Sequence, residues 1–67
     1  MRISYDTATD ALYIHLSEMP GADAEEIAPG VVVDFGEDGR LVGIEIDHAS
    51  KLLDLTKLET ESIPLPT

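Results

Sequence analysis

The clearest signal along this chain is the alternation in Ala11-Leu12-Tyr13-Ile14-His15-Leu16. Leu12, Ile14 and Leu16 point one way, and Ala11, Tyr13 and His15 the other, as in a strand with one face buried. A shorter alternation, Ile3-Ser4-Tyr5, precedes it. Between them Asp6-Thr7-Ala8-Thr9-Asp10 is built of residues whose side chains bond nearby backbone and favour turns. Further on, Val31-Val32-Val33-Asp34-Phe35 and Leu41-Val42-Gly43-Ile44-Glu45-Ile46 flank Gly36-Glu37-Asp38-Gly39-Arg40. Two β-branched runs around an Asp-Gly pair predict a hairpin. Setting Phe35 opposite Val42 brings Val33 opposite Ile44 and Val31 opposite Ile46, all on one face. A slip of one residue sets Val31 against Glu45 and mixes the faces, so the first register is expected unless a bulge at Gly39 changes the count.

The remaining segments carry weaker patterns. Ala22-Asp23-Ala24-Glu25-Glu26-Ile27 lies between Pro20-Gly21 and Pro29-Gly30, which leaves little room for a helix. It reads as a short edge strand whose charges discourage unwanted pairing. Asp47 or Ser50 is placed to cap a helix from Ala49 to Leu58, with Ala49, Leu52 and Leu53 at i, i+3 and i+4 covering the sheet. Pro64 and Pro66 bar both helix and central strand from the tail that follows. The predicted class is α+β: an antiparallel β-meander of four or five short strands with one C-terminal helix packed on the sheet. Residues 1–59 form a single small domain, and 60–67 an extended proline-containing tail.

Composition then narrows the picture. Four Lys+Arg against fourteen Asp+Glu give 4 − 14 = −10, yet 43% of the 67 residues are hydrophobic, so the chain is acidic and folded rather than disordered. The charge argues against a nucleic-acid backbone and against anionic membrane surfaces. Apolar runs are too short to span a bilayer, and no secretion signal is visible, so a cytoplasmic location is expected. A chain this small buries only about 60% of its unfolded surface and usually gains stability from disulfides, a metal or a second subunit. With no cysteine present, the subunit becomes the expectation. The strand pattern also places Tyr13, His15, Val32 and Leu41 on the face opposite Leu12, Ile14, Val33 and Ile44. One helix cannot cover both faces, so either the sheet curls into a partial barrel, or the outer residues are simply exposed, or these four form the interface of a homodimer, which is the expected arrangement.

Candidate chemistry is sparse. Asp34, Asp38 and Gly39, with Glu45 eleven positions after Asp34, fit a calcium loop at its positions 1, 5, 6 and 12. Gly36 at position 3 has no oxygen to offer, and β-branched runs replace the flanking helices, so a hairpin turn is the stronger reading. His15 and His48, the only imidazoles, show no ligand spacing. Asp6 and Asp10 bracket the first turn and read as turn caps rather than as an acid–base pair. No serine stands in a nucleophile elbow, and no glycine-rich phosphate loop is present. An enzyme is not expected, and neither is a cofactor.

Three segments together are more specific: Tyr5-Asp6 through Asp10-Ala11-Leu12-Tyr13-Ile14, Gly30 to Phe35, and Asp38 to Ile46 followed by Ala49-Ser50. In order and spacing they resemble the small prokaryotic domain-of-unknown-function family 2283, over about Met1 to Leu53. The resemblance implies a compact prokaryotic cytoplasmic protein with no established activity, cofactor or catalytic residue. Some members are regarded as candidate antitoxins encoded beside a small candidate toxin. The expected function is a non-enzymatic homodimeric protein-interaction module, an antitoxin-like binder of a basic partner protein. The alternative is a small metal-binding or hydrolytic domain using Asp34, Asp38, Glu45 or His15.

Overall fold

Five strands and one helical turn follow one another along the chain: β1 (Arg2–Asp6), β2 (Ala11–His15), β3 (Asp23–Ala28), β4 (Val31–Phe35), β5 (Leu41–Ile46) and α1 (Ala49–Leu52). The computed structural model describes residues 1–64. Of the predicted tail, Leu65, Pro66 and Thr67 lie outside the described residues. All neighbouring strands are antiparallel, in the order β1-β2-β5-β4-β3, so the class is α+β. Among the described residues no helix is long and apolar enough to cross a membrane.

The connection from β2 to β3 carries the chain from one half of the sheet to the far edge. Three inter-strand spacings amount to about 14 Å, well within reach of the seven residues 16–22 that cross them. The crossing is pinned at both ends. The N–H groups of Leu16 and Ser17 both donate to the Val42 carbonyl, at 2.8 and 3.1 Å, and that of Ala22 donates to Phe35 at 2.8 Å.

The hairpin of β4 and β5 forms in the expected register, with Val31 opposite Ile46 and Val33 opposite Ile44, up to a bulge. Beyond Asp34, which faces Gly43, Phe35 pairs with Leu41 rather than with Val42. The extra residue is Val42, whose carbonyl takes the two β2–β3 donors. The bulge therefore sits at Val42 rather than at Gly39, and Gly39 instead supplies the positive φ of 79° that the turn needs. Leu41 consequently falls opposite Phe35, on the face of Val33, and not beside Tyr13 as its position in the sequence suggests.

The acidic segment forms the edge strand β3, exposed along its length, with a register shift between Glu26 and Ala28. The C-terminal helix is shorter than the pattern predicts. It spans Ala49–Leu52, starts at His48 in the left-handed region (φ 53°) without a side-chain cap, and ends where Leu53 turns extended. Neither predicted cap serves it, since the Ser50 side chain is taken by Asp10. Beyond Leu53, Asp54 accepts the Thr56 N–H at 3.0 Å and its hydroxyl as well. Such local side-chain bonds offer the backbone an alternative to the helix. Leu53, Leu55 and Leu58 still lie over Ile3, Tyr5, Leu12 and Ile14, but from a non-helical segment that leaves a groove of 440 Å³ against the sheet.

Burial is thin everywhere. Among the described residues the buried apolar ones are Val33, Val42 and Ala49, and no large side chain is fully enclosed. The molecule measures 35 × 34 × 20 Å with a radius of gyration of 12.9 Å, against about 11 Å for a globular chain of this length. Its accessible surface is 5360 Å², where a monomer of 7.2 kDa is expected to expose about 4,100 Å².

Candidate functional site

The register places Tyr13, His15, Val32, Asp34, Gly43 and Glu45 on one face of the sheet: Tyr13 is opposite Glu45, His15 and Asp34 flank Gly43, and Val32 is opposite Glu45. Tyr13 does not stand upright on this face. Its ring leans across β5, and its hydroxyl donates to Asp34 Oδ2 on β4 at 2.6 Å. Gly43 is what permits this, because a Cβ there would meet the Tyr13 oxygen at 2.5 Å and its Cζ at 2.8 Å. A glycine within a strand of branched residues thus marks a close approach by a side chain.

The hydrogen bond to Asp34 pushes the Tyr13 phenol up to about 12, helped by burial and by the charges of Asp34 and Glu45. At neutral pH the Tyr13 hydroxyl therefore keeps its proton and donates a hydrogen bond to Asp34. His15 packs beside it, with ring centroids 4.2 Å apart and planes tilted by 52°. Ser4 Oγ lies 3.3 Å from His15 Nε2, and Arg2 Nη2 lies 3.5 Å from both ring nitrogens, a distance at which the bond is weak.

The calcium-loop spacing resolves into a hairpin. Asp34 serves Tyr13, and Asp38 accepts the Arg40 N–H at 3.0 Å with the guanidinium 3.7 Å away. Glu45 stands on β5 opposite Tyr13. Among the described residues no group of three or more His, Asp or Glu is placed to hold a metal ion.

Asp6 and Asp10 act as caps of two kinds. Asp6 Oδ1 accepts the Ala8 N–H at 2.9 Å, a local turn bond. Asp10 reaches much further, accepting the N–H and hydroxyl of Ser50 and the hydroxyl of Tyr5. These bonds hold its carboxyl below the usual aspartate value, Ser50 contributing most and Tyr5 next. The same contact raises the Tyr5 phenol. Sequence reasoning missed this link, because nothing in local spacing joins positions 10 and 50. It also missed the Tyr13–Asp34 bond, which the lone glycine of β5 could have signalled.

A family model described as "Protein of unknown function (DUF2283)" matches residues 2–50. The chain belongs to this family. The DUF2283 segment contains all five strands and ends at Ser50, the partner of Asp10, so that hydrogen-bonded link closes the matched unit. The Leu53–Leu58 segment over the sheet lies beyond it. Neither a curated protein nor a solved structure matches the chain.

Proposed function

We propose that this DUF2283 chain is a non-enzymatic homodimeric protein-interaction module that acts as an antitoxin-like binder of a basic partner protein. The observation that carries the dimer is the open sheet: among the described residues no large side chain is fully enclosed, and the excess surface exceeds the roughly 800 Å² that each partner buries in a standard interface.

Charge supports the second partner. Between Arg2 and Arg40 the chain has nine acidic residues and no Lys or Arg. The face of Tyr13 and His15 carries Asp34, Glu45, Glu26 and Asp6 around Tyr13, with Arg2 at its β1 margin. Packing two copies of this face together would set acid against acid. A basic surface fits it better, steered by the field and oriented by the Tyr13 ring.

The test is recovery of the tagged full chain from its native host. A co-purifying basic protein lost at high salt, and lost at least tenfold in Glu26→Lys and Glu45→Lys but retained in Glu59→Lys, is the expected result. No partner, or a partner indifferent to salt and to both face variants, would contradict the reading.

A further inference from the structure

We infer that the β1 edge is where two copies of this chain join, strand against antiparallel strand, about a two-fold axis at Ser4. This rests on the homodimer reading above and gives that dimer its geometry.

The two edges of the sheet differ. At β3 the exposed Asp23, Glu25 and Glu26 and the register shift after Glu26 oppose self-pairing. At β1, Arg2-Ile3-Ser4-Tyr5-Asp6, no proline, bulge or run of like charge protects the edge.

The outward peptide groups follow from the ladder. Leu16 donates to Val42 and Asp47 to Gly30, both at 2.8 Å. Since bonded and non-bonded pairs alternate in antiparallel sheets, Leu12 and Ile14 bond toward β5, while Ala11, Tyr13 and His15 bond toward β1. Their partners there are Asp6, Ser4 and Arg2. The N–H and C=O groups of Ile3 and Tyr5 therefore point away from the sheet. Among the described residues no turn or loop backbone bond reaches them.

With Ser4 opposite Ser4 of the partner subunit, these outward groups meet their counterparts: Ile3 bonds the partner's Tyr5, and Tyr5 the partner's Ile3, four hydrogen bonds in all. The same register sets Arg2 against the partner's Asp6 twice. Among the described residues Arg2 makes just the long contacts to His15, and Asp6 uses Oδ1 on Ala8, with no side-chain bond to Oδ2. On the other face Ile3 and Tyr5, 44% and 42% exposed, pack across the axis beside Leu55 and Leu58. One strand pairing thus satisfies the edge, pairs the charges and joins two half-covered apolar faces.

The chain has no cysteine, so Ser4→Cys introduces a single thiol. A non-hydrogen-bonded antiparallel pair holds its Cα atoms about 4.5 Å apart, inside the disulfide range. Mild oxidation of S4C is expected to give a covalent dimer on a non-reducing gel, while E26C on the opposite edge gives none. Arg2→Asp is expected to weaken dimerisation at least tenfold, and mixing the R2D chain with the D6R chain to restore it as a heterodimer. A doubled native mass without the S4C crosslink, or with the crosslink at E26C instead, overturns the edge assignment and leaves the homodimer standing. A monomeric native mass overturns the homodimer reading itself.

Discussion

Asp10 and Ser50, forty positions apart, are joined by two hydrogen bonds: Asp10 Oδ1 accepts the Ser50 N–H at 3.0 Å, and Oδ2 accepts its hydroxyl at 2.6 Å. The Asp10 carbonyl takes the Ala49 N–H at 2.9 Å. With φ at 56°, Asp10 sits in the left-handed region that aspartate and asparagine tolerate better than most residues. The turn between β1 and β2 thereby holds the helical turn against the sheet, and Ala49 becomes fully buried beneath it.

Replacing Asp10 by alanine is expected to lower Tm by several degrees, and replacement by asparagine to lower it less. The sign of the pH dependence follows from the depressed carboxyl. Its contribution is present above the ordinary aspartate value and is lost as pH falls through the lower folded value. Calorimetry at pH 7 and again below about pH 4 is therefore expected to show the gap between wild type and D10A narrowing in acid. A gap that persists undiminished there would contradict the role given to the carboxylate.

Gly43→Ala tests the close approach of Tyr13. The added methyl must displace the ring, at a cost of about 1–3 kcal/mol typical of overpacking, and break the bond to Asp34. Tyr13→Phe, which removes only the hydroxyl, is expected to cost about 0.5–1.5 kcal/mol. In urea titrations the Y13A/G43A double variant is expected to lose less than the two single losses added together. Simple additivity would show that the two residues do not meet.

The same bond predicts an alkaline limb. A phenol raised from 10.0 to about 12 contributes stability below its unfolded value, and that contribution fades as pH rises between the two. Absorbance titration near 295 nm should show Tyr13 ionising near 12 and Tyr5 also above its usual value. In D34N the Tyr13 step is expected to move down. No movement would detach the shift from Asp34.

Ile44 is expected to matter for stability, because it lies between Ile14 and Val33 on the apolar face. Ile44→Ala should cost about 2 kcal/mol, the low end of the range for buried aliphatic truncations, because the site is half-buried. Chemical unfolding at fixed protein concentration measures it. A loss under about 0.5 kcal/mol, the usual surface value, would remove Ile44 from the core.

The central strands were legible because alternation reports a half-buried sheet directly, as in Leu12 to Leu16, whereas the exposed acidic edge was legible only from the two Pro-Gly pairs that leave no room for a helix. The pairing of Val31 with Ile46 and of Val33 with Ile44 followed from keeping apolar residues together. Its last step failed at Phe35, where the extra residue at Val42 restores the match between strands of unequal length. The helix was overread because Ala49, Leu52 and Leu53 suit a helical stripe, while the Asp54 carboxylate, by bonding Thr56, favours a turn. The links from Tyr13 to Asp34 and from Asp10 to Ser50 depend on strand order, and no local pattern encodes which distant strands become neighbours.

In the proposed homodimer this open sheet is one half of an assembly. Sedimentation equilibrium of the full chain tests it most directly, measured at about 0.15 M salt and again at higher ionic strength, where repulsion between two chains of charge −10 is screened. Twice 7.2 kDa, 14.4 kDa, is expected at both, with the dimer tighter at the higher salt. A mass of 7.2 kDa throughout would contradict it.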